Sequence, residues 1–168
     1  MNSIGHLGGT VVCPGSFDPV TLGHLDVFVR SAEKFDHVVV AVLENSTKTS
    51  LFTVAERIQL LTNATRDYTN IEVTSFAGLL VDFCKSRNIS AIVKGLRAVS
   101  DFDYELQMAQ LNHQLANVET FFMSSNPTYS FLSSSMAKEV AKYGGSVKGL
   151  VPENVEDALI AKFKANKN

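Results

Sequence analysis

Short apolar runs rich in β-branched residues alternate along most of the chain with stretches whose apolar residues recur at helical spacing. No other feature restricts the fold as much. Strands are expected at Thr10–Cys13, His37–Leu43, Ile71–Phe76, Ala91–Gly95 and Thr120–Ser124. Each is nearly continuous in apolar character, the pattern of parallel strands buried on both faces. Helices are expected between them at Gly23–Phe35, Val54–Tyr68, Leu79–Arg87 and Asp101–Ala116. This alternation predicts an α/β fold, a Rossmann-like parallel five-stranded sheet with helices on both faces. C-terminal helices follow at Ser134–Tyr143 and Glu153–Lys164, the second opened by Pro152, whose missing N–H costs little there. No linker, internal repeat or low-complexity tract interrupts the sequence, so residues 1–168 read as one domain of ordinary size.

Composition removes several classes of function. The formal net charge is −2 and no basic stripe is present, so a nucleic-acid surface is not expected. The longest purely aliphatic run, Val38 to Leu43, is far too short to cross a bilayer, so no membrane association is expected. The first residues, Met1 to His6, lack the basic start and apolar core of a secretory signal. Cys13 and Cys84 sit in apolar segments without metal-ligand spacing and read as reduced core thiols of a cytoplasmic protein. No cluster of histidine, cysteine and carboxylate suggests a metal held by the protein itself.

Chemistry concentrates first in the segment Cys13-Pro-Gly-Ser-Phe-Asp-Pro-Val-Thr-Leu-Gly-His24. It leaves an apolar strand and enters a helix, the kind of turn at which open α/β sheets bind ligands. Gly15 and Gly23 allow close backbone approach, and Ser16 and the turn amides offer donors. His24 falls in the first helical turn, where free N–H groups and the helix dipole favour an anion. There it can donate to a phosphate without being protonated. A plainer account makes Asp18-Pro19 a tight turn, Thr21 an N-cap and His24 a solvated helix residue.

Other polar residues fall where strands end. Lys94 closes the apolar run Ala91-Ile-Val-Lys, an unusual place for a merely solubilising charge. Gly95-Leu96-Arg97 follows, and Arg97 can fork two phosphate oxygens or instead pair with Asp101 or Asp103. Ser100 reads as the N-cap of the next helix, with Asp101 and Asp103 suited to its positive end. Asp101 and Glu105 share a helix face. Lys48, in the loop Glu44–Leu51, could be a solvated charge. Tyr129-Ser130-Phe131-Leu132-Ser133-Ser134-Ser135 precedes a helix. Capping needs one hydroxyl, whereas three hydroxyls with free amides can form a second anion cradle.

Taken together, these segments resemble the T/H-x-G-H nucleotidyltransferase superfamily and, within it, the phosphopantetheine adenylyltransferase family. The resemblance runs from Val12 to about Leu159 and includes Pro14-Gly-Ser-Phe-Asp-Pro, Phe52-Thr-Val-Ala-Glu-Arg, Lys94-Gly-Leu-Arg-Ala and Asp101-Phe-Asp-Tyr-Glu. It implies reversible transfer of the adenylyl group of ATP to 4′-phosphopantetheine, giving dephospho-coenzyme A and pyrophosphate on the way to coenzyme A. The attacking phosphate oxygen is already anionic, so such a site needs alignment and positive charge rather than a general base.

By the same resemblance His24 stabilises the transition state, with Lys48 and Arg97 completing the catalytic set. Ser16, Lys48, Leu80 and Lys94 serve the acceptor, although Leu80 at a helix start can equally be core. Many members of the family carry arginine in place of Lys94; lysine keeps the charge but not the fork. ATP falls to Ser16, Phe17, His24, Gly95, Leu96, Arg97, Glu105 and the run Tyr129 to Ser135. Mg²⁺ is expected to arrive with ATP, held mainly by phosphates and water. The resemblance also implies a homohexamer and feedback inhibition by coenzyme A. Other small nucleotidyltransferases, with nicotinamide mononucleotide or glycerol phosphate as acceptor, fit the serine-rich segment and paired lysines less well. A non-catalytic nucleotide-binding module would not need His24, Lys48 and Lys94 together. A tRNA synthetase core shares the Gly-His turn, but this chain has no room for a tRNA-reading domain.

Overall fold

In the computed structural model, which describes residues 5–44 and 49–165, five parallel strands form one sheet. They are β1 (Thr10–Gly15), β2 (His37–Leu43), β3 (Ile71–Phe76), β4 (Ala91–Leu96) and β5 (Glu119–Ser124), in the order β3-β2-β1-β4-β5. The helices are α1 (Leu22–Ala32), α2 (Val54–Thr65), α3 (Leu80–Ser86), α4 (Val99–Ala116), α5 (Ser134–Lys142) and α6 (Glu153–Ala165). The expected α/β, Rossmann-like sheet with helices on both faces is what the chain forms.

Successive side chains of a strand point to opposite faces, and the two cores follow that alternation. Val11, Cys13, Val38, Val40, Val42 and Val93 pack on one face with apolar residues of α1, α2, α5 and α6. Val12, Val39, Ala41 and Ile92 pack on the other with Cys84 and with Phe83 and Ala116 of α3 and α4. Val38 to Val42 is essentially inaccessible to solvent, and each valine so buried contributes about 1.5 kcal/mol or more. Burial on both faces does not extend to the sheet edges. Every residue of β3 before Phe76 is half-buried, and β5 alternates between exposed and half-buried. An edge strand has one neighbour, so less of its surface is covered.

Several boundaries differ from the sequence expectation. β1 continues past Cys13 through Pro14 to Gly15, because its pairing with β2 runs to Gly15↔Val42. The fourth helix starts at Val99, and extended Ala98, which makes no side-chain capping bond, precedes it, so Ser100 is not the N-cap. Arg97 reaches Asp101 across that first turn, bringing the helix start close to the end of β4. A short 3-10 turn, Pro127–Tyr129, opened by Asn126, was not anticipated. Among the described residues no helix is long and apolar enough to cross a membrane.

Strand order reverses between β1 and β4, and there the sheet opens. Only Val11↔Ala91 and Val12↔Ile92 are paired, although β1 continues to Gly15 and β4 to Leu96. Pro14, which has no N–H to donate, lies in the diverging stretch. Open α/β sheets bind ligands in such a crevice, outside the carboxyl ends of the strands.

Candidate active site

A cavity of about 490 Å³ fills this crevice. Its floor is the ends of β1 and β4, and its walls are the starts of α1 and α5 and one face of α4.

The turn from β1 to α1 is fastened from below and from the side. Phe17 has a φ of +48°, a conformation non-glycine residues seldom adopt, and its ring is buried. The ring meets those of His24 and Phe28 edge-on, at centroid distances of 5.2 and 5.3 Å. Asp18 is buried and accepts from the N–H groups of Leu51 (3.0 Å) and Phe52 (2.9 Å) and from Lys138 Nζ (2.9 Å). Burial opposes its ionisation, but the Lys138 ammonium and the two amides outweigh that and hold its carboxyl below the usual range. The Ser134 hydroxyl donates to the Pro19 carbonyl at 2.7 Å, tying the start of α5 to the same turn.

His24 is fixed in tautomer as well as position. Thr21 caps α1, its Oγ accepting from the His24 N–H, while the Thr21 N–H donates to His24 Nδ1 at 3.1 Å. Nδ1 is therefore the acceptor and Nε2 carries the proton. Burial, helped by the charges of Arg97 and Lys94, lowers the imidazole pKa to about 4. At neutral pH the ring is an uncharged donor on the cavity wall. The sequence readings of Thr21 as cap and His24 as phosphate donor are compatible, since one nitrogen serves each.

Two cations line the same cavity as His24. Lys94 Nζ lies 3.1 Å from Glu105 Oε1, and Arg97 Nε lies 3.2 Å from Asp101 Oδ2. Arg97 also donates to the Leu132 carbonyl at 3.0 Å. These carboxylates, all on α4, orient the cations without burying them completely. At Gly95 a Cβ would come within 2.9 Å of Val27 Cγ2, so a side chain there would have to displace Val27 of α1. Cys13 lines the floor, but burial pushes its thiol up to about 12 against the opposing effects of Ser31 and Lys94, which leaves it no thiolate at neutral pH.

The structure brings Ser16, Phe17, His24, Lys94, Gly95, Arg97 and Glu105 to this one cavity, with Tyr129, Leu132 and Ser133 to Ser135 from the far end of the chain. Ser133 caps α5 through the Met136 N–H and Ser134 bonds Pro19, so two of the three hydroxyls have structural partners. Leu96, Ser130 and Phe131 adjoin the cavity in sequence but do not line it; Phe131 is exposed. Leu80 packs at the start of α3 against the core. Lys48 lies outside the described residues. Tyr104 and Ser125 line the cavity without having been singled out, and Asp101, first read as a helix-stabilising acid, lines it too. Arg57, given no role from the sequence alone, is buried beneath the turn and donates to the Ser16 carbonyl at 2.7 Å. Its place at the end of the segment Phe52-Thr-Val-Ala-Glu-Arg and inside an otherwise apolar helix face was the available signal.

Among the described residues no group of three or more histidine, cysteine, aspartate or glutamate residues is placed to hold a metal ion. The arrangement can bind phosphates from several directions and donate one uncharged hydrogen bond between them.

Residues 12–140 match the cytidylyltransferase-like family. The phosphopantetheine adenylyltransferase of Streptomyces coelicolor is 60% identical over 153 residues, covering 91% of this chain and 96% of that protein. That of Frankia casuarinae is 63% identical over 147 residues, covering 85% and 91%. A solved structure of Plasmodium falciparum nicotinic acid mononucleotide adenylyltransferase complexed with NaAD superposes with a TM-score of 0.65 at 14% identity, over 93% of this chain and 96% of that one. At that identity it speaks to the fold alone. The chain belongs to the cytidylyltransferase-like family and, within it, to the phosphopantetheine adenylyltransferases.

Proposed function

We propose that the cavity transfers the adenylyl group of ATP to 4′-phosphopantetheine. A phosphate oxygen of the acceptor attacks the α-phosphorus of ATP, the bond from that phosphorus to the β-phosphate bridging oxygen breaks, and pyrophosphate leaves. The products are dephospho-coenzyme A and pyrophosphate. The observation that carries this reading is a neutral histidine donor in one cavity with two cations at the switch point of the sheet.

An anionic nucleophile needs no base, so the protein's task is to align the reactants and stabilise spreading charge. His24 Nε2–H donates to the α-phosphate as negative charge grows there. Lys94 and Lys48 hold the acceptor phosphate, with Ser16 beside it and Leu80 along the pantetheine arm. Arg97 grips the ATP phosphates, joined by the backbone around Gly95 and by the serine-rich start of α5. Substrate phosphates compete with Glu105 and Asp101 for the two cations. MgATP is the nucleotide substrate; its ion stays on phosphates and water, in keeping with the donor set of the cavity. Coenzyme A shares the pantetheine arm and the phosphate groups, so it competes at the same site.

The chain works as a single domain in the cytoplasm and as a homohexamer. The β5 edge of the sheet and the exposed Leu111 and Leu115 of the adjacent α4 are the apolar surface offered for contact between copies. The test of the activity is pyrophosphate release from MgATP with a panel of acceptors. Release is expected with 4′-phosphopantetheine and not with nicotinamide mononucleotide or glycerol phosphate. Equal release with all three, or none with the first, would refute the reading.

A further inference from the structure

We propose that Arg57 is a positioning residue for the transfer reaction, holding the ATP-side turn and the acceptor-side loop in one frame. The inference rests on the function proposed above. Arg57 lies one turn into α2, yet only 3% of it is exposed. No carboxylate among the described residues comes within ion-pair distance of it. A buried guanidinium without such a partner is costly unless its donors are satisfied, and here the described acceptors are all backbone carbonyls.

Their identity gives the arrangement its meaning. One terminal nitrogen donates to Ser16 O at 2.7 Å and reaches Leu43 O at 3.5 Å, while Nε reaches Thr53 O at 3.4 Å. The β1–β2 ladder ends at Gly15↔Val42, so Ser16 and Leu43 are the residues immediately beyond the last pair. Past this point one strand enters the turn that carries His24 and the other enters the loop that carries Lys48. Arg57 clasps both chains where the sheet stops doing so. Thr53, its third acceptor, is the N-cap at which that loop rejoins a helix.

A lysine keeps the charge but cannot span separate carbonyls with a planar fork. Methionine keeps much of the volume and removes both. Reacting groups displaced by about 1 Å can cost on the order of 10² in rate. The experiment therefore compares wild type, Arg57→Lys and Arg57→Met in one assay, at a temperature well below each protein's measured unfolding midpoint. With both substrates varied, kcat per folded molecule is expected to fall about 10- to 100-fold in both variants. The two KM values should move about threefold or less, as for lost alignment rather than lost binding. A scaffold residue would lower the midpoint without changing kcat. The proposal is overturned if Arg57→Lys turns over like wild type, if only the midpoint moves, or if neither variant folds. Failure of the wild type itself to release pyrophosphate would refute the assigned function instead.

Discussion

At residue scale the site depends on a histidine kept neutral. His24→Ala should fold and lose about 10²–10³ in turnover, the usual effect of removing one preorganised donor to transition-state charge. Steady-state pyrophosphate release checks this, and near wild-type turnover would remove His24 from its role. Its titration makes a second prediction. In the folded chain the imidazole titrates near 4, against an ordinary value of 6.5. Between those values the unfolded chain binds more protons, so His24 contributes stability above pH 6.5 that is lost as pH falls towards 4. NMR titration of the ring should show the low value, and His24→Ala should flatten the stability profile over that window. On the proposed division of the cations by substrate, Lys94→Ala should raise the KM for phosphopantetheine and lower kcat, and Arg97→Ala should mainly raise the KM for ATP. Equal effects of both on both substrates would contradict the division. His24, Lys94 and Arg97 were legible in the sequence because each sits in a local motif at a strand or helix end. The fastening roles of Asp18 and Arg57 were not, although both stand in motifs of the family resemblance, because their partners lie on Leu51, Phe52, Lys138, Ser16 and Leu43, which only the folded chain brings near.

At the scale of elements, the close crossing of β4 and α1 sets how wide the cavity opens. Gly95→Ala would press its methyl into Val27, and overpacking of this kind costs about 1–3 kcal/mol. Thermal unfolding should show that loss, and Val27→Ala in the same chain should recover part of it by vacating the space. Additive losses in the double variant would show that the clash is not the cause. Apolar runs and helical spacing located the strands and the six helices found among the described residues. They missed the start of α4, where Ser100 and its acidic neighbours imitate a cap while the helix begins at Val99 without one. Nor does apolar content distinguish an edge strand from a central one: Phe121 and Phe122 read as buried, yet Phe121 is exposed at the rim of the sheet.

At the scale of the molecule, light scattering should give six times the mass of the chain at micromolar concentration, and a stable monomer would contradict the proposed hexamer. Strand order was the part of the architecture least open to sequence reading, since alternation fixes parallel strands but not which pair flanks the crevice. The order found puts β1 in the middle, so the site joins residues 13–28 from the start of the chain to two later segments, 93–105 and 125–135. The bond from Ser134 to the carbonyl of Pro19 spans 115 residues of sequence. During synthesis, at about 5–20 residues per second, that partner emerges roughly 6–23 seconds after the turn it completes. Throughout that interval the turn that carries His24 lacks the start of α5, which forms one wall of the cavity in the folded chain. Closure of the cavity thus waits on a segment made long after the turn it closes.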